Sequence, residues 1–277
     1  MILSIASGKG GTGKTTVAVN MALSLENVQL LDCDVEEPNA HILLQPKIAE
    51  ATPIYKLVPQ IVEERCTYCK QCSTFCAYNA LFVAAETIMV FPELCHSCGG
   101  CSLVCPENAI TETQRQVGSI KMGTVKGIEL IYGELQVGEP IPIPLIKEVK
   151  RRINPDKTVL IDAPPGTACP FVASVYPSDY CLLVTEPTPF GLHDVQIAVD
   201  VLNKLSVPYG IIINRAGIGD RKVYEYCNEK NIPILLEIPY NRTIAHLYSQ
   251  GTPFVMNMPE WRAQFQRLYH KIKRYTY

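Results

Sequence analysis

The chain has 277 residues, of which 47% are hydrophobic and 19% are charged, and its formal net charge is −2. This length can bury one large core, or one core with a small satellite domain, and the composition is that of a globular protein. The small net charge gives no bulk attraction to nucleic acid or anionic lipid, so no nucleic-acid partner is expected and membrane association is disfavoured.

Outside residues 63–112, apolar strands are predicted to alternate with amphipathic helices. The predicted strands are Ile2–Ser7, Val28–Asp32, Thr158–Asp162, Tyr180–Thr185, Tyr209–Asn214 and Ile234–Ile238. The predicted helices are Thr15–Leu25, Leu145–Ile153, Asp194–Leu205, Val223–Asn231 and Glu260–Arg274. This alternation indicates an α/β fold with a mostly parallel sheet that is covered on both faces. The glycine-rich segment 114–144 is predicted to add one or two edge strands and a loop.

A phosphate-binding loop joins the first predicted strand to the first predicted helix. The sequence from Gly8 to Thr15 satisfies G-x-x-x-x-G-K-[ST]. The motif predicts an ATP site in which backbone N–H groups surround the phosphates, Lys14 reaches the β- and γ-phosphates, and the Thr15 hydroxyl binds Mg²⁺. The cofactor-binding residues predicted from this loop are Gly8, Gly10, Gly11, Thr12, Gly13, Lys14, Thr15 and Thr16.

Lys9 adds a second lysine to the loop, and K-G-G-T-G-K-T-T resembles the deviant Walker A motif of the MinD/ParA/Mrp ATPases. The resemblance continues in the segment 32–39, similar to switch I, and in 162–167, similar to Walker B and switch II. Asn214 and Arg215 are similar to the adenine-reading position, and 238–241, with Pro239, to the loop that closes on the base. The chain thus resembles a SIMIBI-type P-loop NTPase.

This resemblance implies a role for each candidate catalytic residue. Asp34 is expected to orient the attacking water, and Asp162 to hold a Mg²⁺-bound water. Lys14 in cis and Lys9 from the partner of an ATP-dependent dimer are expected to offset charge on the transferred phosphoryl group. The partner is either a second copy or a related ATPase. Asp32 either contacts Mg²⁺ or only supports its loop.

Two cysteine runs with the spacing C-x₂-C-x₂-C-x₃-C repeat at an offset of 29 residues. This is the ligand pattern of a bacterial-type ferredoxin with two [4Fe–4S] clusters, in which the fourth Cys of each run ligates the other cluster. The first predicted ligand set is Cys66, Cys69, Cys72 and Cys105. The second is Cys95, Cys98, Cys101 and Cys76. Two zinc sites are the alternative, but zinc ligands usually pair two C-x₂-C units across a longer gap.

The cysteine runs predict a small α+β ferredoxin domain, residues 61–113, inserted into an ATPase domain of residues 1–60 and 114–277. A hairpin is expected between the two runs, from 81–83 and 88–91. Residues 63–112 contain six acidic and two basic residues, a net charge of −4. This charge favours a partner with a basic docking patch, or it is simply an acidic solvated surface.

Four cysteines lie outside the runs. Cys33, Cys181 and Cys227 are predicted to be buried. Cys169 has the offset from Asp162 of a cluster ligand in the nitrogenase iron protein, but a dimer of this chain would supply only two such thiolates, so a bridging cluster is not expected unless a partner adds ligands. A loop residue without metal is favoured over a functional thiol. The last predicted helix either docks on the sheet or forms an amphipathic membrane anchor like that of MinD; docking is favoured.

Three functions are compatible with these features. The favoured one is an ATPase that couples nucleotide-dependent dimer switching to electron transfer or metallocluster assembly with a docked partner. The others are an iron–sulfur carrier or scaffold, and a membrane-associated regulator with redox-sensing clusters. The opening residues lack the features of a signal peptide, and the thiols are spaced for metal, so a reducing, cytoplasmic setting is expected.

Overall fold

The computed structural model describes residues 1–276 of the chain. Within them, nine strands form one sheet in the order β11-β10-β9-β1-β8-β2-β7-β6-β3. The strands of this sheet are β1 (Ile2–Ala6), β2 (Val28–Asp32), β3 (Lys47–Ile61), β6 (Ile110–Val125), β7 (Ile128–Leu135), β8 (Thr158–Asp162), β9 (Tyr180–Thr185), β10 (Tyr209–Ala216) and β11 (Ile234–Pro239). Pairing is parallel from β11 to β7 and antiparallel between β7, β6 and β3. The predicted α/β class with a mostly parallel sheet is confirmed.

Helices cover both faces of the sheet. The helices of the described residues are α1 (Lys14–Ala22), α2 (Ala40–Leu44), α3 (Gln71–Phe75), α4 (Gly100–Leu103), α5 (Ile143–Lys150), α6 (Cys169–Val175), α7 (Pro189–Leu205), α8 (Lys222–Glu229), α9 (Arg242–Ser249) and α10 (Pro259–Thr276), of which α3 and α4 lie away from the sheet faces. Apolar side chains of α1 and α10 pack on one face, and those of α5, α7 and α8 pack on the other. The strands between them are buried on both sides, which explains their continuous apolar sequences.

Helix α7 begins five residues before its predicted start. Pro189 occupies the first turn, and the Thr188 hydroxyl accepts a hydrogen bond from the Gly191 N–H at 3.0 Å. A threonine cap followed by proline is a strong helix start. The apolar periodicity begins later, so the pattern alone places the start too far along the chain.

The C-terminal helix α10 docks on the sheet, as predicted. Its apolar stripe is buried in the core next to α1 (Trp261, Phe265, Leu268 and Ile272). The Gln266 amide also donates to the carbonyl of Ser24 at 2.9 Å. An anchor role would need this stripe to leave the core. Within residues 1–276, no helix combines the length and the apolar character that crossing a membrane requires.

A long antiparallel ribbon of β3 and β6 leaves the edge of the sheet. The pairing runs from Lys47 opposite Thr124 to Ile61 opposite Ile110. Strand β7 pairs only with the half of β6 from Gly118 onward, so the other half of the ribbon extends beyond it. No strand is predicted over 47–61, a segment with charged residues and two prolines. Here β3 is an edge strand, where proline is tolerated.

The far end of the ribbon carries residues 62–109, which we name the cysteine-rich module. It contains α3, α4 and a separate two-stranded hairpin of β4 (Leu81–Ala84) and β5 (Thr87–Val90). The predicted hairpin is therefore present. The predicted domain boundaries fall inside β3 and β6, because the same two strands belong to the sheet at one end and hold the module at the other.

Candidate functional site

The phosphate-binding loop lies at the carboxyl end of β1 and leads into α1. Gly13 has a φ of +96°, and a Cβ there would lie 2.4 Å from Nδ2 of Asn214. This Nδ2 instead donates to the Thr12 carbonyl at 2.8 Å. Glycine is thus required by both backbone conformation and close approach. Asn214, which the resemblance assigns to adenine, is hydrogen-bonded to the phosphate-binding loop in this structure.

The side chains around Lys14 fit a magnesium–phosphate site. Lys14 is buried, and the Thr15 hydroxyl donates to Oδ2 of Asp162 at 2.5 Å. The other carboxylate oxygen of Asp162, Oδ1, is buried and has no hydrogen-bond partner among the described residues. A buried carboxylate oxygen without a partner is costly, and a Mg²⁺-bound water would satisfy it. The predicted Mg²⁺ residues, Thr15 and Asp162, therefore lie together.

Asp32 supports the segment that follows it, residues 32–39, which we name the switch I segment. Its Oδ2 accepts from the backbone N–H groups of Asn39 and Ala40, both at 3.0 Å, and its Oδ1 accepts from that of Asp34 at 3.1 Å. Both oxygens are thus occupied by the loop. Of the two roles considered for Asp32, the geometry favours loop support over metal contact.

Three neighbouring carboxyl groups resist ionisation together. Burial raises the pKa of Asp32 to about 7, and the charge of Asp34 adds to this effect. Burial also raises the pKa of Asp34 to about 6, against the opposing effect of Lys14. The pKa of Asp162 lies well above its usual range because of burial and the nearby Asp32. A bound cation would relieve this repulsion, which is why the site fits Mg²⁺.

The raised pKa of Asp34 predicts a pH-dependent stability in the absence of nucleotide. Between about pH 4 and pH 6 the folded state keeps a proton that the unfolded state releases, so this group's contribution to stability falls as the pH rises through that window. We expect Asp34→Asn to gain stability relative to the wild type from pH 4 to pH 7, by at most about 3 kcal/mol. Thermal unfolding in EDTA across this range measures it, and a difference independent of pH would contradict it.

A cleft of about 380 Å³ opens from the phosphate-binding loop, a volume typical of small-molecule sites. The predicted residues that line it are Gly10, Gly11, Gly13, Lys14, Thr15, Thr16, Asp34, Asn214, Arg215 and Pro239. Gly8, Thr12 and Asp162 do not line it. Lys9 is directed elsewhere, with its Nζ 6.0 Å from the ring centroid of Phe190.

Sequence reasoning missed one wall of this cleft. Helix α9 contributes Ile244, Ala245 and Tyr248, and the switch I segment contributes Glu37. The available signal was Asn241, whose Oδ1 accepts from the Thr243 N–H at 2.7 Å and so caps α9. Arg215 lines the cleft but pairs with Glu186, Nη1 to Oε1 at 2.7 Å.

The eight cysteines of the two runs surround two cavities in the cysteine-rich module. Cys66, Cys69, Cys72 and Cys105 line the first cavity. Cys76, Cys95, Cys98 and Cys101 line the second. The fourth cysteine of each run thus lies beside the other run's cavity. The second cavity measures about 160 Å³. The first measures about 20 Å³, room for about one water molecule, so a cluster there requires its loops to open.

The donor set fits iron–sulfur chemistry. Backbone N–H groups of Ala80 and Ala109 approach the sulfurs of Cys76 and Cys105, at 3.4 and 3.3 Å, and such contacts tune clusters. In residues 1–276, no three His, Cys, Asp or Glu side chains are grouped closely enough to bind one metal ion. Zinc sites usually pair two C-x₂-C units across a longer gap, unlike these two runs. The ligation itself stays a prediction.

Four cysteines lie outside the two runs, and three of them are part of the core. Cys33, Cys181 and Cys227 are buried, as predicted. Cys169 is exposed and is the first residue of α6, so it lies in a helix and not in the predicted loop.

Comparisons with known proteins agree with this architecture. Residues 3–254 match the family model described as CobQ/CobB/MinD/ParA nucleotide binding domain. An uncharacterized protein of Methanocaldococcus jannaschii is 32% identical, over 92% of this chain and 91% of its own length. An iron-sulfur cluster carrier protein of Aquifex aeolicus is 25% identical, over 94% of this chain and 63% of its own length.

A solved structure shares the fold. The septum site-determining protein MinD of Pyrococcus horikoshii, complexed with Mg-ADP, superposes with a TM-score of 0.62 at 21% identity, over 98% of this chain and 95% of that one. The family match extends over most of the chain and agrees with the phosphate-binding loop, the magnesium residues and the sheet order. The chain therefore belongs to the CobQ/CobB/MinD/ParA family of nucleotide-binding proteins.

Proposed function

We propose that this protein is an ATP-hydrolysing iron–sulfur protein that couples its nucleotide state to electron transfer, or to metallocluster assembly, with a docked partner. The observation that carries it is the two four-cysteine cavities on a ribbon that starts at the edge of the nucleotide-binding sheet. One polypeptide thus joins a candidate redox module to a candidate ATP site through continuous strands.

The nucleotide half works through positioning and charge. Lys14 offsets the charge of the β- and γ-phosphates, and Asp34, which lines the cleft, orients the attacking water. Thr15 and Asp162 hold Mg²⁺, directly and through water. Lys9 serves the site of the other protomer in an ATP-dependent dimer, either of two copies or with a related ATPase. Its position over Phe190 leaves it free of its own cleft.

The module half offers two sites with the same set of four cysteines. The cysteines of each set would hold one [4Fe–4S] cluster, which would supply one-electron redox chemistry between a low-potential donor and an acceptor protein. In each set one cysteine is buried (Cys72 and Cys101) and one is exposed (Cys69 and Cys98). The exposed cysteines bring each site to the surface, where a partner with a basic patch can dock on the acidic module.

An iron–sulfur carrier is the second candidate, because the relative from Aquifex aeolicus is named as one. A carrier needs a labile cluster, whereas two complete four-thiolate sets favour clusters that stay. The two functions predict opposite fates for the iron.

Transfer to an apo acceptor separates these functions. The anaerobically reconstituted protein is incubated with an apo ferredoxin, with and without Mg²⁺ and ATP, and iron is measured on both proteins after separation. The redox function predicts that the iron stays on this chain in every condition. Quantitative transfer to the apo ferredoxin would replace it with the carrier function.

A further inference from the structure

A buried ion pair lies where the ribbon leaves the sheet. Lys56 of β3 and Glu139, in the turn after β7, approach to 2.7 Å between Nζ and Oε1, and their side chains are 4% and 2% exposed. Arg115, opposite Lys56 in the ribbon, brings its Nε to 3.9 Å from Oε2 of the same glutamate. A buried charge pair is costly to desolvate, so it is weak evidence for stability and calls for another role.

On one side, this pair adjoins the second cysteine set. Arg115 also pairs with Glu93, Nη1 to Oε2 at 3.0 Å, two residues before Cys95. The Ser97 hydroxyl donates to the carbonyl of Leu57, the residue after Lys56. The loop that carries Cys95 is thus held at two points by residues next to the ion pair.

On the other side, the pair adjoins the nucleotide site. Val35, in the switch I segment, accepts from the Leu135 N–H at 2.8 Å, at the end of β7. The next N–H, of Gln136, donates to Val117 of β6 at 2.9 Å, and the Gln136 carbonyl accepts from Glu139 at 3.0 Å. A chain of backbone hydrogen bonds therefore runs from Val35 through Leu135 and Gln136 to Glu139.

The first cysteine set has no comparable link. Among the described residues, the hydrogen bonds of 66–72 stay within the module, such as that from the Cys66 N–H to the Glu63 carbonyl. The ion pair therefore contacts the loop of Cys95 more directly than it contacts 66–72, which the Cys76 N–H bond to the Cys72 carbonyl joins to the second set.

We propose, resting on the function above, that Lys56 and Glu139 are positioning residues that transmit the nucleotide state of the switch I segment to the second cysteine set and not to the first. The two metal sites then have different tasks. The second responds to ATP and the first is independent of it. If the ion pair only stabilises the ribbon, replacing it would leave the response to nucleotide unchanged.

Hydrogen exchange on the full reconstituted chain tests this coupling. Exchange is followed by mass spectrometry with ADP and with a non-hydrolysable ATP analogue. We expect exchange in residues 92–98 to differ between the two nucleotides by about 5-fold or more, the size of a typical coupling. Residues 63–72 should show no such difference. Lys56→Met/Glu139→Gln should abolish the difference in 92–98 while the phosphate-binding loop stays protected.

The exposed ion pair between Lys121 and Glu134 provides the matched control. It joins β6 to β7 at 2.6 Å on the same sheet edge, and its side chains are 31% and 36% exposed. Lys121→Met/Glu134→Gln should keep the response of 92–98. Lys56→Arg, which keeps a positive charge beside Glu139, should also keep it and provides the comparison if the double variant is poorly folded. Survival of the response in the Lys56→Met/Glu139→Gln protein, or an equal response in 63–72, would overturn the coupling.

Failure of the wider function has a different signature. Iron and sulfide are determined on the same samples, so a chain that binds no clusters would refute the proposed function while exchange still reports the coupling. If neither nucleotide protects the phosphate-binding loop from exchange, both the proposed function and the coupling are refuted.

Discussion

Lys14→Ala should lower ATP hydrolysis by about 10²–10³-fold, the usual cost of one preorganised charge-stabilising donor, and should leave the iron content unchanged. Lys14 is buried beside Asp34 and Asp162, and its charge lowers the pKa of both. The cysteine sets lie in the separate module. Phosphate release and iron per chain, measured on one preparation, test both halves. Loss of iron would contradict the expectation that the module binds its iron without an intact nucleotide site.

Lys9→Ala is the companion variant that separates hydrolysis from binding. Lys9 is half-buried over Phe190 and does not line its own cleft. It should also lower hydrolysis while leaving nucleotide binding intact. If Lys9 acts in trans, an equimolar mixture of the Lys9→Ala and Lys14→Ala proteins forms mixed dimers with one complete site. Partial recovery of turnover is then expected, and no recovery would argue against the action in trans.

Cys105→Ser should remove about half of the iron, from about eight to about four atoms per chain, since each [4Fe–4S] cluster holds four. The Cys105 thiol lies in the cavity of Cys66, Cys69 and Cys72 and not in that of its own run. The lost cluster should therefore be the one held by the first run. Iron analysis with electron paramagnetic resonance of the reduced protein measures this.

Cys76→Ser is the reciprocal variant. Cys76 lines the cavity of the second run, so its loss should affect that cluster and spare the first. The two variants should thus show complementary spectra that sum to that of the wild type. Loss of only the second-run cluster in Cys105→Ser would show that ligation is not crossed.

The sheet was predictable where burial is complete. Strands such as β2 and β8 are short apolar runs between turns, and this pattern has few alternatives. Strand β3 was missed because it is an edge strand with charged residues and prolines, such as Lys47 and Pro53, which are unusual in a central strand. A short helix such as α2, with five residues, spans too few turns to show a clear helical period.

The site was predictable where the chemistry is local. The phosphate-binding loop and each cysteine run are contiguous, so their spacing alone specifies them. The α9 wall of the cleft and the Lys56–Glu139 pair join residues far apart in sequence. A lysine in an alternating strand is ordinarily exposed, so only the fold reveals that Lys56 is buried.

The reduction potentials of the reconstituted wild-type protein, titrated with ADP and with a non-hydrolysable ATP analogue, test most directly whether nucleotide controls the metal sites. We expect one of two one-electron transitions to shift by about 60 mV, a tenfold change in the reduction equilibrium, while the other stays constant. Two transitions that are identical in both nucleotides would contradict the account, because the ATP site and the cysteine-rich module would then act independently.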